Sequence, residues 1–250
     1  MSWIYPLRHR LSALLRPMPV LYRPLRQLWR RYRPTPPSLE QQLQSATRHL
    51  PAVHFVQVGS NDGAQGDPLH QLLRSDRRWR GLFVEPVGFL FERLRSNYAG
   101  DERFDFANVA IAAETGALPF YFVSERAKQA LGDRLPYWYD QLGSFDRQHI
   151  VKHLDGLLEP YIETLPVRCM PLQAVLDQHG VQRIDVLHID TEGYDWQVLR
   201  LFDLARYRPQ VVLYEHKHLP IADQQKAEQM LKDQGYALSR HIADTLAIRR

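Results

Sequence analysis

Short apolar runs recur along the chain, each ending in a glycine turn or an acid: Val53–Val58, Leu82–Glu85, Ile184–Asp190 and Val211–Glu215. Near-continuous apolar character over so few residues predicts strands buried on both faces, as in a parallel sheet. Between them the apolar positions recur with helical spacing. Helices are predicted at Leu39–His49, Pro68–Ser75, Phe89–Tyr98, Leu172–His179, Trp196–Ala205 and Asp223–Gln234. In Phe89–Tyr98 the stripe is Leu90, Phe91 and Leu94, and in Asp223–Gln234 it is Ala227, Met230 and Leu231. Pro34, Pro36 and Pro37 mark a boundary, after which Ser38 can cap the first helix, with Glu40 in its first turn.

Further extended segments are expected at 104–112, 118–123 and 161–169, with closing strands at 236–241 and 245–248. Thr115-Gly116 suggests that 104–112 and 118–123 form a hairpin. Residues 124–160 break the rhythm and read as an insertion on the substrate side. The alternation predicts an α/β fold, a doubly wound and mainly parallel sheet, with the last hairpin supplying one antiparallel edge strand. Ligands in such sheets bind beyond the carboxyl ends of the strands.

Charge divides the chain unevenly. Residues 1–37 hold eight arginines and no acid, whereas the rest holds 24 basic and 28 acidic residues. The high isoelectric point therefore belongs to a basic, amphipathic arm at 1–37, and the body at 38–250 gives little support to nucleic-acid binding. Arginines and prolines interrupt the arm too often for a bilayer span or a secretory signal. It reads as a segment for peripheral membrane contact or a partner, as a packed extension, or as a disordered leader. The lone Cys169 cannot form an intramolecular disulfide and fits a reducing compartment, hence a cytoplasmic protein, with peripheral association at the inner face of a membrane through the arm.

The candidate chemistry falls at strand ends. The first run leads into Gly59-Ser60-Asn61-Asp62-Gly63, a turn whose glycines allow close backbone approach to a ligand. Its spacing differs from the dinucleotide fingerprint, which disfavours a nicotinamide-dependent oxidoreductase. Glu85 follows Gly63 by 22 residues, close to the offset at which an acid receives ribose hydroxyls, and Pro86 comes directly after it. Asn108 either reads a base or bridges backbone. Asp190 and Glu192 stand within three residues at the end of a buried strand, where they serve a ligand or cap the next helix, a task open equally to Thr191 or Asp195.

The neighbouring strand ends Glu215-His216-Lys217-His218, so a titratable cluster stands beside Asp190 if the two strands are adjacent. Such a cluster could house a general base, a substrate-orienting ion pair or a divalent metal, of which the metal is the least supported because no fixed ligand spacing compels it, and no metal ligands are assigned. His149 and His153 are four apart but enclose no glutamate, so the metalloprotease motif is absent. Tyr137, Trp138 and Tyr139 form either a substrate wall or a small core of the insertion.

Taken in order, Val58-Gly59-Ser60-Asn61-Asp62-Gly63, the strand-end Glu85-Pro86 and Ile184-Asp185-Val186-Leu187-His188-Ile189-Asp190-Thr191-Glu192-Gly193 resemble the FkbM-type family of S-adenosylmethionine-dependent methyltransferases. The resemblance covers roughly 53–217. It implies a class I methyltransferase fold, Rossmann-like in its winding, and methyl transfer to an oxygen, often a sugar hydroxyl of a saccharide or glycolipid. It also implies that Gly59, Asn61, Asp62 and Gly63 surround the methionine end of the cofactor, that Glu85 holds the ribose, and that Asp190 lies near the sulfonium. The expected cofactor set is completed by Ser60, Pro86 and Asn108. Gln57 departs from the acid common before the glycine turn, and His188 from a common lysine. A hydroxyl acceptor benefits from a nearby base, for which Glu192, His216 and His218 are candidates, with Asp190 shared between cofactor and substrate. A noncatalytic binding protein of the same fold, acting through its arm on a membrane, RNA or a partner, is the alternative.

Overall fold

The computed structural model describes residues 37–250. The expectations for the basic arm fall on residues outside this range, apart from Pro37. Leu39–Arg250 forms one compact unit.

Its centre is a seven-stranded sheet of β1 (Val53–Val58), β2 (Trp79–Val84), β3 (Phe104–Ala107), β7 (Val186–Ile189), β8 (Val211–Glu215), β9 (Tyr236–Arg240) and β10 (Asp244–Arg249), ordered β3-β2-β1-β7-β8-β10-β9. The pairs from β3 through β8 are parallel. Antiparallel pairing is confined to the expected edge, where β10 inserts between β8 and β9 and runs against both. Strand order reverses between β1 and β7, so the crevice above those two strands is the topological switch point.

Period-two alternation divides the strand side chains between two cores. Val56, Val58, Leu187, Ile189, Val212 and Tyr214 face one layer of helices: α6 (Leu172–Gln178), α7 (Asp195–Leu201) and α9 (Ile221–Asp233). Val53, Phe55, Val186, Val211 and Leu213 face the other: α1 (Leu39–Thr47), α2 (His70–Ser75) and α3 (Gly88–Asn97). Every residue of β7 and β8 is buried, which accounts for their unbroken apolar runs.

Two expectations are corrected. The hairpin joining 104–112 to 118–123 is absent. Instead β4 (Ala110–Ile111) and β5 (Gly116–Val123) flank β6 (Ile162–Met170) in a separate three-stranded sheet, parallel to β4 and antiparallel to β5. This pairing buries Phe120, Phe122, Val167 and Cys169 against Val87 and Leu90, a gain the local hairpin could not provide. The single helix expected at 196–205 is two, α7 and α8 (Leu204–Tyr207), because Phe202 turns extended into the core and Asp203 caps the second through Arg206 N–H at 2.9 Å.

The insertion carries α4 (Arg126–Leu131), α5 (Arg147–Val151) and short 3-10 turns around its own apolar centre of Ala127, Leu135, Tyr139, Ile150 and Leu158. Arg93 of α3 ties it down through Asp140 at 2.7 Å and Glu125 at 2.6 Å. Gln141 donates to the Gln65 carbonyl at 2.9 Å, which draws the insertion over the loop after β1.

Candidate active site

The carboxyl ends of β1, β2, β7 and β8 open into two connected spaces. One is a narrow, largely apolar slot of about 40 Å³ between Val84, Glu85, Val87, Leu90, Ile111, Phe145 and Tyr194. The other is a polar cleft of about 450 Å³ beneath the insertion, lined by Gln57, Asp67, His188, Glu215 and His218 among others. Gly59, Asn61, Asp190 and Glu192 border both.

The turn after β1 is shaped by the approach of β7. Gly59 has φ +80°, and a Cβ there would stand 1.7 Å from the Asp190 carbonyl oxygen, so only glycine lets the two strand ends meet. Asn61 also takes a left-handed φ of 49°, tolerated by asparagine, and presents its N–H to Glu85 Oε2 at 2.8 Å. The other oxygen of Glu85 accepts from Val87 N–H at 2.8 Å. Burial drives the Glu85 pKa up to about 8, opposed by these two amide donors.

At the end of β7, Asp190 is half-buried, and its buried Oδ1 has no hydrogen-bond partner. Burial raises its pKa well above the ordinary value, and the neighbouring acids, Glu192 foremost, push further in the same direction. Glu192 sits at φ +51°, a left-handed conformation that costs a bulky residue on the order of 1 kcal/mol and aims its carboxylate across the cleft. There Oε2 lies 2.8 Å from His149 Nε2 and 3.6 Å from His218 Nε2. Asp195 holds this loop in place. It accepts from the Thr191 hydroxyl at 3.0 Å and Gly193 N–H at 3.3 Å with one oxygen, and from Glu215 N–H at 3.1 Å with the other. No side chain caps the helix that follows: Asp195, its first residue, anchors the preceding loop instead, and neither Asp190 nor Glu192 is used as a cap.

The expected residues separate accordingly. Gly59, Ser60, Asn61, Glu85, Pro86, Asp190 and Glu192 border the two spaces. Asp62, Gly63, Asn108 and His216 do not. Asp62 Oδ1 is taken up by the N–H groups of Ala64 and Gln65, both at 2.9 Å. Gly63 packs on Leu94 and Tyr98. Asn108 donates to the carbonyls of Glu85 at 2.8 Å and Pro86 at 3.1 Å, so of its two readings the structure has the backbone bridge. His216 turns toward β10, with Nδ1 3.0 Å from the Thr245 hydroxyl, and His218 occupies the cleft in its stead, because the backbone leaves the sheet after Glu215. Ser60, though it borders the cleft, holds strands together: its hydroxyl bonds to the Gln57 and Val84 carbonyls.

Four side chains outside the expected set of site residues complete the site, Glu215 of the expected titratable cluster among them. His149 and His153 arrive from the insertion, with His153 Nδ1 2.7 Å from the His149 carbonyl. Asp67 receives Gln57 Nε2 at 3.1 Å, and burial lifts its pKa to about 6. Glu215 points into the cleft, its Oε2 unpartnered. The four-residue spacing of the two histidines was visible, but nothing local tied them to Glu192. The aromatic triplet splits: Tyr137 and Trp138 line the cleft, while Tyr139 belongs to the insertion's core.

A parallel sheet with its switch point between β1 and β7, a glycine turn after the first strand and an acid after the second make a Rossmann-like nucleoside-binding fold, the class that includes the class I methyltransferases. The particular family follows from comparison with known proteins. The methyltransferase FkbM domain matches residues 57–238, and the chain belongs to that family. No match was found among curated proteins. Among solved structures, a methyltransferase from Geobacter sulfurreducens aligns with TM-score 0.42 at 11% identity, over 96% of each chain. A human methyltransferase 10 domain containing protein aligns with TM-score 0.42 at 9% identity, over 86% of this chain and 85% of that one. The Methanococcus jannaschii fibrillarin pre-rRNA processing protein aligns with TM-score 0.40 at 6% identity, over 79% of this chain and 66% of that one. The protein is a methyltransferase, and its cofactor is S-adenosylmethionine.

The residues present suit that cofactor. Glu85 offers a buried carboxylate at the rim of an apolar slot, and Gln57 Oε1 and Asp190 Oδ1 are buried acceptors without donors on the cleft side.

Proposed function

We propose that the protein methylates a hydroxyl of a saccharide, a glycolipid or a similarly hydroxylated metabolite. The observation that carries this reading is the Glu192 carboxylate, held by His149 at 2.8 Å beside Asp190 in a polar cleft. When bound, S-adenosylmethionine supplies a sulfonium methyl group, which a nucleophilic oxygen displaces.

Glu85 receives the ribose hydroxyls, exchanging backbone donors for them, and the apolar slot takes the base once Phe145 and Tyr194 part, since its present space is far below the ~300 Å³ of an ordinary ligand pocket. Asp190 and the backbone at Gly59 and Asn61 border the reacting end, where a buried acid favours a cationic group. Glu192, backed by His149 and His218, orients the acceptor hydroxyl and takes its proton. Burial lowers the His218 pKa to about 4, so its ring is neutral and able to accept. Tyr137, which is exposed, and Trp138 offer flat faces against which a sugar ring can rest.

A small-molecule substrate fits the family, and its identity is tested by incubating the protein with methyl-labelled cofactor and fractionated extract. Label in glycan, glycolipid or a hydroxylated metabolite supports the proposal; label confined to RNA or protein rejects it.

No helix among the described residues is long and apolar enough to cross a membrane. We assign the arginine-rich segment 1–37 to peripheral contact with an anionic membrane surface at its cytoplasmic face. Flotation of the full chain with anionic vesicles across a salt series tests this, and loss of flotation on deletion of the segment is the expected result.

A further inference from the structure

Glu192, Glu215 and His218 converge at the inner end of the cleft from the loop after β7, the end of β8 and the turn beyond it. We infer that these three side chains bind one divalent transition-metal cation, of the manganese, cobalt or zinc type, beside Asp190.

Geometry is the first support. His218 Nε2 lies 3.5 Å from Glu215 Oε1 and 3.6 Å from Glu192 Oε2, and the three ligand atoms all lie within 4.8 Å of one another. Ligands held about 2.1 Å from a common ion are separated by roughly 3.0–3.5 Å along the edges of its coordination polyhedron.

A second, independent support is Glu215 itself. Its side chain is nine-tenths buried, yet Oε2 has no donor. A buried carboxylate oxygen left unpaired is costly, and a bound cation removes the cost without requiring the acid to hold a proton. Charge gives the same answer. Asp67, Asp190, Glu192, Glu215 and Asp244 all line this cleft, and Lys217 is the one lysine or arginine among its lining residues. A bound sulfonium offsets a single charge, so the remaining acids are balanced either by shared protons or by a further cation.

The surroundings are those of a ligand shell. His149 Nε2, placed by α5, bonds at 2.8 Å to Glu192 Oε2, the same oxygen that faces His218, and so fixes the position of that carboxylate as outer-shell partners of metal ligands do. Two carboxylates with an imidazole favour a first-row transition cation over magnesium or calcium, which prefer all-oxygen shells. Three protein ligands leave a position for an acceptor oxygen, which the cation would hold and acidify, the proton passing to the other oxygen of Glu192, Oε1. That last role rests on the O-methylation reading; the binding does not.

The test uses the full chain, freed of metal by chelator and titrated with Co²⁺ while visible d–d absorption is followed. Expected are saturation at one equivalent and, in both Glu215→Gln and His218→Ala, affinity lower by at least about tenfold. Binding of S-adenosylhomocysteine to the same samples reports that each variant is folded, and the wild-type titration needs no variant. No saturable Co²⁺ binding by wild type, or undiminished binding in both folded variants, overturns the site and points to a cationic acceptor or a proton-sharing acid cluster instead. Methyl transfer to a hydroxyl that persists after chelation, with Co²⁺ never bound, removes the metal and keeps O-methylation. Co²⁺ bound as expected without any methylated hydroxyl product does the reverse.

Discussion

His149 Nε2 and Glu192 Oε2 lie 2.8 Å apart although 43 residues separate them in the chain. The contact joins the insertion to the end of β7, so the element that covers the cleft also supplies a partner to the acid inside it. Covering and chemistry are thereby linked: a change that lifts the insertion also releases Glu192.

Removing the acid should therefore lower turnover without weakening cofactor binding. Glu192→Gln is expected to reduce kcat by about 100-fold or more, the scale of a lost general base, and His149→Phe by a smaller factor. The cofactor dissociation constant, measured calorimetrically with S-adenosylhomocysteine, should change little in either variant. A Glu192→Gln protein of wild-type kcat would end the assignment.

Glu85→Ala should have the opposite signature. Charge-assisted hydrogen bonds are worth about 1.5–3 kcal/mol each, so S-adenosylhomocysteine affinity should fall at least about tenfold while the fold persists. Unchanged affinity would remove Glu85 from the ribose site.

The two histidines after β8 should part company. His218→Ala is expected to abolish most activity, whereas His216→Asn should cost about 1 kcal/mol of stability through its bond to Thr245 and leave kcat within about threefold. Steady-state rates together with thermal unfolding separate the two, and equal loss of activity in both would reverse the correction made at His216.

Ligand-free stability should fall as pH rises. Burial lifts the pKa of Glu85 from 4.5 to about 8, of Asp195 from 3.8 to about 7 and of Asp67 from 3.8 to about 6. The native state binds these protons more tightly than the unfolded chain, so their contribution is complete below the unfolded values and is lost as pH climbs through the folded ones. The thermal midpoint should decline most steeply between about 6.5 and about 8, because below that range the buried His188 and His218, whose pKa values burial lowers, restore stability as pH rises, and Glu215, which burial and the neighbouring acids push higher than Glu85, carries the decline further. Saturating S-adenosylmethionine, whose sulfonium favours ionised acids, should flatten the slope. A midpoint that rises over this window would contradict the argument.

Gly59→Ala should fail to fold properly. Its φ of +80° and the Asp190 carbonyl 1.7 Å from the new Cβ leave no local escape, and a loss on the order of 3 kcal/mol or more is expected. Soluble yield and denaturant midpoint measure it, and a variant of native stability would show that the β1 and β7 ends can separate.

The sequence by itself determined the α/β alternation, the mainly parallel character of the sheet and the strand-end motifs. Unbroken apolar runs such as Val211–Glu215 are set by burial on both faces, and a glycine at 59 records a backbone approach that no other residue allows. Both are local consequences of a periodic environment, so they are written locally. What only the tertiary structure decided is which polar side chains meet. Asp195 rather than its neighbours anchors the loop, His218 rather than His216 enters the cleft, β6 rather than β4 pairs with β5, and His149 reaches Glu192 across 43 residues. Such choices depend on where the chain leaves a strand and what packs above it. A histidine one position from another differs in sequence hardly at all, yet the direction in which the backbone departs after Glu215 sends one ring to β10 and the other to the site.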